Sequence, residues 1–91
     1  MDSGQFAVPT TAAAIGSGGC QGGLVLCAPV ANTLSIWIGV SGVTPSTGLE
    51  LKPGSYLDFS GWPSPPTDIS QIYAVCVTNL TGPRIAWLKQ T

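Results

Sequence analysis

The chain has 91 residues, of which 8% are charged and 44% are hydrophobic, with a formal net charge of −1 and no histidine. An ordinary soluble domain carries about 25% charged residues, so we expect much of this surface to face other protein. The three basic residues are scattered, which argues against nucleic-acid binding, because that requires clustered cations on phosphates. No apolar run approaches the roughly 20 residues of a membrane-spanning helix. The length predicts one domain over residues 1–91.

Short apolar segments separated by turn residues follow one another along the chain, a pattern typical of an all-β sandwich or barrel. Residues 1–23 are expected to form a partly extended N-terminal arm and a glycine-rich loop, "GSGGCQGG". Strands are predicted at residues 5–8, 11–15, 24–30, 34–39, 49–51, 56–60, 72–78 and 84–89. No sustained helical period is found, and "TDIS" at residues 67–70 is expected to form at most one turn. The fold class predicted is all-β, a single small antiparallel β-sandwich of about eight short strands, jelly-roll-like.

The cysteines indicate a reduced protein. Their number is three, which does not suit a framework in which every thiol is paired. Cys27 and Cys76 lie in apolar runs, where a free thiol behaves as a small hydrophobic group, so we expect both to be buried. A bridge between them would require their strands to be neighbours. Cys20 lies in the glycine-rich loop, which lacks the lysine of a phosphate-binding loop, and we expect this thiol to be exposed.

Alternation assigns the faces of the strand predicted at residues 34–39. Leu34, Ile36 and Ile38 share one face and are predicted to lie in the core. Trp37 points to the opposite face. Its side chain is therefore a candidate for contact with another protein.

Residues 49–59 are predicted to form a hairpin. A two-residue Pro-Gly loop would bury an acid, so we expect an odd-length loop centred on Gly54 that keeps the apolar residues on one face. This register places Glu50 and Asp58 opposite each other, as the only candidate acid/base pair in the sequence. Catalysis by two carboxylates needs burial and a cleft, whereas this pair is expected on a solvated face beside Lys52. No cysteine–histidine pair and no metal-ligand cluster is found, so we expect neither an enzyme nor a cofactor.

Aromatic residues and one strand suggest a protein interface. Residues 72–77 carry apolar side chains on both faces, so this strand lies either beneath a covering loop or in a subunit interface. Trp62 lies in the proline-stiffened segment "GWPSPP". Trp, Tyr and Arg dominate the energetics of interfaces. The candidate partner-binding residues are Trp37, Tyr56, Trp62, Pro63, Tyr73 and Arg84.

The last 60 or so residues carry strand and turn motifs in a fixed order. Ile38 and Gly39 match the isoleucine and glycine of an "I-x-G" step, without the residue between them. The other motifs are "SGVT-x-STG" at 41–48, "L-x-x-G" at 51–54, "IYAV" at 72–75 and "R-I-x-x-L" at 84–88. In them the chain resembles the small β-sandwich structural proteins of tailed bacteriophages. The motifs are turn and packing residues, so they carry over no active site. The three cysteines and the "GWPSPP" segment depart from the pattern.

The resemblance implies a virion protein made in the host cytoplasm. Our first expectation is a capsid decoration or cement protein that binds the major capsid protein at the capsid surface, commonly as a homotrimer, and stabilises the assembled head. The alternative is a carbohydrate- or receptor-binding module of a head fibre, neck or tail, with Trp37, Trp62 or Trp87 as a stacking platform. The surroundings of the tryptophan distinguish these two hypotheses. A binding module would expose it among polar neighbours, whereas a decoration protein would hold it against another protein.

Overall fold

The strands occur where the turn pattern predicts them. The computed structural model describes residues 2–20, 23–59, 62–63, 66–78 and 82–89. The strands are β1 (Asp2–Ala7), β2 (Ala13–Ala14), β3 (Leu24–Cys27), β4 (Ile36–Gly39), β5 (Leu49–Leu51), β6 (Tyr56–Asp58), β7 (Tyr73–Val75) and β8 (Arg84–Lys89). Most are shorter than predicted, and β1 begins earlier. The predicted turn near residue 68 is a 3₁₀ turn at Ile69–Gln71.

The strands form two four-stranded antiparallel sheets. The first sheet has the order β1-β8-β3-β6 and the second has the order β2-β7-β4-β5. Every connection except the one from β4 to β5 therefore passes from one sheet to the other. This is the strand order of an eight-stranded jelly roll, and it confirms the predicted fold class.

Apolar side chains on the inner faces of the two sheets form one core. Leu24 and Leu26 on β3 and Ile36 and Ile38 on β4 are buried, while their neighbours in sequence are half-buried, as alternation predicts. The same core contains Val8, Ile15, Cys20, Ala28, Leu51, Phe59, Ile69, Ile72, Ala74, Cys76 and Ile85. The prediction that Leu34 belongs to the core is wrong. Leu34 is 43% exposed, because β4 begins only at Ile36 and the alternation does not extend back to it.

The predicted hairpin between β5 and β6 is also wrong. β5 pairs with β4, which places Glu50 opposite Trp37, and β6 pairs with β3, which places Asp58 opposite Val25. The turn between them, with Gly54 at a φ of 85°, carries the chain from one sheet to the other. Two apolar faces can meet across the roughly 10 Å between stacked sheets as well as side by side in one sheet. Glu50 and Asp58 therefore lie in different sheets, and the candidate acid/base pair does not form.

The loop of residues 40–48, between β4 and β5, packs against the outer face of the second sheet. Val43 is only 6% exposed, and its Cγ2 lies 2.8 Å from where a Cβ on Gly39 or Gly48 would stand. The two glycines therefore provide the space that Val43 fills. The loop is closed locally, since the Thr44 N–H donates to Thr47 Oγ1 at 2.9 Å and the Gly48 N–H donates to the Thr44 carbonyl at 2.8 Å.

This loop explains the strand with two apolar faces. On β7, Ala74 pairs with the inward-facing Ile38, so Tyr73 and Val75 point outward. Val75 is nevertheless only 3% exposed. It lies in a groove bordered by residues 41–45 and 10–12. The structure therefore shows the covering loop that the first predicted alternative requires, and the subunit interface stays a prediction.

All three cysteines are free thiols. Cys76 is buried and donates to the Val8 and Pro9 carbonyls at 3.3 Å each, and burial raises the pKa of its thiol. Cys27 lies half-buried on the outer face of the first sheet, so a bridge to Cys76 does not form.

The prediction that Cys20 is exposed is wrong. Its side chain is 0% exposed, and its Sγ donates to the Pro66 carbonyl at 3.0 Å. Glycines surround Cys20 in the sequence, so there is no alternation from which burial could be inferred. Its hydrogen-bond partner is 46 positions away along the chain.

Candidate docking cleft

An open apolar cleft lies at the side of the sandwich where the outermost strands of the two sheets face each other. β5 ends the second sheet and β6 ends the first. Leu49 from β5 and Leu57 from β6 border one cleft of about 530 Å³. None of the described residues that line this cleft is ionisable. The cleft can therefore receive apolar groups, but those residues offer no acid or base for chemistry.

The floor and the rim of the cleft come from different elements. Ile38 on β4 and Ile72 before β7 are 4% and 6% exposed and form the floor. The rim consists of larger exposed surfaces, because Val40 is 75%, Leu49 is 51% and Trp62 is 46% exposed. Contiguous apolar surface of this kind marks interaction sites on soluble proteins.

Trp62 is held at the rim by a core residue. Its ring meets the ring of Phe59 edge to face, with 4.5 Å between centroids and 67° between planes. The backbone N–H of Trp62 also donates to the backbone carbonyl of Phe59 at 3.1 Å. Phe59 is only 5% exposed. The indole is thus fixed before any partner arrives, which lowers the entropy lost on docking. The contact also means that Trp62 packs against the core.

Several polar groups next to the cleft form hydrogen bonds within the chain. Gln71 Oε1 accepts the N–H groups of Thr67 at 2.9 Å and Asp68 at 3.2 Å. Asp68 Oδ1 accepts the Ser70 N–H at 2.9 Å. Asp68 and Gln71 also form a capping box for the 3₁₀ turn, in which the side chain of each residue accepts the backbone N–H of the other. Thr67 and Gln71 therefore stabilise the wall of the cleft.

Two of the predicted partner-binding residues lie near the cleft. Trp62 lines it, and the exposed Pro63 follows directly in the chain. Trp37 and Tyr73 instead lie half-buried on the outer face of the second sheet. Tyr73 borders the groove beneath the loop of residues 40–48.

The other two predicted residues belong to the first sheet. Tyr56 is 72% exposed on β6, opposite Cys27. Arg84 is exposed at the start of β8, where the Asn32 side chain bonds both its N–H, at 3.0 Å, and its carbonyl, at 2.8 Å. The six residues thus occupy separate surfaces, and Trp62 alone among them lines the cleft.

Sequence reasoning missed Val40, Leu49 and Ile72 as lining residues. The cleft forms between strands that are not paired with each other, so no local pattern identifies it. The sequence did offer one signal. Leu49 and Leu51 lie on the same face of a strand that is only three residues long. A leucine at the end of so short a strand is poorly covered by its own sheet.

Within the part of the chain that the structure describes, no group of three or more Cys, Asp or Glu side chains could hold a metal ion. The same part contains no helix long and apolar enough to cross a membrane. Comparison of the chain with protein-family models, with curated proteins and with solved structures finds no match. The function is therefore argued from the cleft and the fold.

Proposed function

We propose that the protein is a virion structural protein, a capsid decoration protein that docks on the major capsid protein and stabilises the assembled head. The observation that carries this proposal is the apolar cleft of about 530 Å³ with no ionisable group among its described lining residues. Apolar surface at its rim, on a chain with 8% charged residues, is suited to burial against another protein. The proposed occupant is an apolar segment of the capsid protein.

The fold is compatible with this proposal. The jelly roll is one of the architectures that viral capsid domains use, although lectin domains and cupins share it. Fold alone does not determine function. The motifs on which the resemblance to phage structural proteins rests include the loop at residues 41–48, whose Val43 packs over Gly39 and Gly48. This packing gives the residues of the motif a structural role, which supports a common fold.

The alternative is a carbohydrate- or receptor-binding module. A stacking platform needs an exposed aromatic face with polar neighbours that can orient a ligand. Trp62 borders Phe59 and the apolar cleft instead, and Trp37 and Trp87 are half-buried. These surroundings favour a protein partner. Binding to a glycan array, with no binding to capsids, would support the alternative.

A matched pair of valines tests the docking proposal. Val40 and Val77 are 75% and 66% exposed, and of the two only Val40 lines the cleft. Val40→Lys adds a charge to an apolar docking surface, so affinity for capsids of the parent virus should fall at least about tenfold, or about 1.4 kcal/mol. Val77→Lys should bind like the unaltered protein. Binding would be measured by co-sedimentation with capsids that lack the protein.

Two further measurements accompany this comparison. Capsids carrying the protein should survive heating or low salt better than capsids without it. Quantitative mass spectrometry of particles should find hundreds of copies, as expected for a shell protein. Absence of the protein from purified particles, or equal binding by Val40→Lys and Val77→Lys, would contradict the proposal.

A further inference from the structure

One edge strand is much longer than the other three. The four edges of the sandwich are β1 and β6 in the first sheet and β2 and β5 in the second. β1 has six residues, whereas the others have two or three. Shortened edges, lysine, proline and bulges are the usual protection against pairing with another chain. β1 contains no lysine or proline, its one charged residue is Asp2 at its start, and its register with β8 is continuous.

The backbone groups at the open side of β1 can be identified. The Val8 N–H donates to the Pro83 carbonyl at 3.0 Å, one position beyond the pair of Ala7 and Arg84. Hydrogen-bonding direction alternates along an antiparallel strand. Phe6 therefore bonds toward β8, while Gln5 and Ala7 direct their N–H and C=O groups toward the open edge. No other described strand pairs with β1 on that side.

We infer that β1 pairs with β1 of a second copy of this chain, antiparallel about a two-fold axis at Gln5. The two first sheets then form one continuous eight-stranded sheet. In this register Gln5 lies opposite Gln5 of the second copy, and Ala7 lies opposite residue 3. A shift by one residue would place inner side chains on the outer face.

The side chains suit a partner identical to this chain. No charged residue occurs from Ser3 to Leu49, so no charge on residues 3–7 repels a second copy. On the inner face, Gly4 lies opposite Phe6 of the second copy, and the ring of Trp87 already covers Gly4, with its Cζ2 2.6 Å from where a Cβ would stand. Phe6 already packs half-buried against the core, so the pairing extends that core across the axis.

This inference goes beyond the proposed docking function and concerns a different surface. The cleft lies beside β5 and β6, and β1 is at the opposite edge of the first sheet. A two-fold contact is isologous and produces a dimer, whereas the trimer implied by the resemblance needs a heterologous contact. The mass in solution distinguishes them, whether or not the protein binds capsids.

Substitution at the axis tests the pairing. Because the Gln5 N–H points outward, Gln5→Pro removes a donor at the open edge without removing a bond to β8. Gln5→Val keeps the N–H and favours a strand. By light scattering at about 100 μM, a concentration at which a dimer with Kd near 1 μM is mostly formed, the unaltered protein and Gln5→Val should have twice the chain mass of 9.3 kDa. Gln5→Pro should have the mass of one chain.

Cross-linking separates lost pairing from lost folding. Residues directly opposite in a hydrogen-bonded antiparallel pair have Cα atoms about 5.5 Å apart, within the range of a disulfide. Gln5→Cys should therefore give a covalent dimer on mild oxidation. Ala7→Cys is the control, because the two copies of residue 7 are four positions out of register and roughly 14 Å apart. The unaltered protein measures the background from its own cysteines.

Several results would overturn the inference. They are a single-chain or three-chain mass for the unaltered protein, a retained dimer in folded Gln5→Pro, and equal cross-linking of Gln5→Cys and Ala7→Cys. If the edge instead accepts a strand of another protein, the pure chain will be monomeric and Gln5→Cys will cross-link only to that protein on particles.

Discussion

Two glycine-rich loops of this protein differ in what holds them. One comprises residues 16–20, before β3, and the other comprises residues 40–48, between β4 and β5. Each buries one side chain, since Cys20 is 0% and Val43 is 6% exposed. Glycine-rich composition therefore does not mean a loose surface loop in either case.

The loop of residues 40–48 is held by its own residues. Thr44 and Thr47 close it by short-range hydrogen bonds, and Val43 rests on glycines at either end of it. These interactions join residues a few positions apart. A loop of this kind forms wherever its sequence motif and the sheet beneath it are present.

The loop of residues 16–20 is held by a distant part of the chain. The Gly18 N–H donates to Asp68 Oδ1 at 3.1 Å, and the Cys20 N–H donates to the Thr67 carbonyl at 3.0 Å. Lys89, only 5% exposed, occupies the space beside Gly18 where a side chain would project, with its Nζ 5.5 Å from the Trp87 ring centroid. One loop therefore depends on local closure and the other on tertiary contacts.

Gly48→Ala should produce the largest effect, because it removes the space that the locally closed loop needs. A Cβ there would lie 2.8 Å from Val43 Cγ2, 2.9 Å from Trp37 Cβ and 3.1 Å from the Ile38 carbonyl oxygen. Since the backbone oxygen cannot yield easily, we expect a loss of about 2–3 kcal/mol in the free energy of unfolding. Denaturant unfolding measures it.

Gly42→Ala is the matched control for that substitution. A Cβ on Gly42 meets nothing within 4 Å, but the residue has a φ of 83°. Gly42→Ala should lower the free energy of unfolding by only about 1 kcal/mol, because of backbone strain. Equal losses at positions 42 and 48 would mean that Val43 is not packed against Gly48.

Cys20→Ala should weaken the loop that depends on distant contacts. The substitution removes a buried sulfur and its hydrogen bond to the Pro66 carbonyl, so we expect a loss of about 1–2 kcal/mol in unfolding free energy. Cys27→Ala is the comparison. Because Cys27 is half-buried on an outer face, this substitution should lower the unfolding free energy by less. Similar stabilities for the two variants would contradict the tertiary role of Cys20.

Thiol labelling of the folded protein should follow the same burial. Cys20 and Cys76 are buried, and Cys27 is partly accessible. A neutral alkylating reagent should therefore modify Cys27 first, as identified by peptide mass spectrometry. All three should react in denaturant. Rapid labelling of Cys20 in the folded protein would contradict its burial and would support the exposed position that the sequence predicts.

Thr47→Val should have a smaller effect on the locally closed loop. Valine keeps the shape of threonine but removes the Oγ1 that accepts the Thr44 N–H. The bond is exposed, so we expect a loss of about 0.5–1 kcal/mol. The denaturation midpoint should shift without a change in m-value. No shift would indicate that Val43 packing alone holds the loop.

Acid should weaken the contact between Asp68 and the loop of residues 16–20. Hydrogen bonds from Ser70, first its backbone N–H and then its hydroxyl, lower the pKa of the Asp68 carboxyl, and the Gly18 N–H and the charge of Lys89 lower it further. Because the folded-state pKa is depressed, the contribution to stability is present above the unfolded pKa of about 3.9 and is lost as the pH falls below it.

Asp68→Asn tests this pH dependence, because it keeps an oxygen acceptor without the titrating charge. The unaltered protein should lose thermal stability more steeply than the variant between about pH 4 and pH 2. Parallel stability curves for the two proteins would contradict the assignment to Asp68. The loop of residues 40–48 contains no ionisable residue, so its own hydrogen bonds should not titrate.

The candidate site was predicted only in part. Trp62 was identified because a tryptophan in a proline-rich segment is conspicuous. Val40 and Leu49 were not, since they approach Trp62 only when the edges of two different sheets face each other. Trp37 was expected at a partner interface, and it lies half-buried over the second sheet. Residue type alone cannot distinguish an aromatic ring that meets another protein from one that lies on its own sheet.

The sequence by itself determined the all-β class and the approximate position of every strand, because alternation and turn residues act over a few positions. It also determined the inward face of β4. Only the tertiary structure decided that β5 and β6 belong to different sheets and that Cys20 is buried. The physical reason is that an inward apolar face is satisfied equally by a neighbouring strand or by a facing sheet, and only the closure of the whole sandwich selects between them.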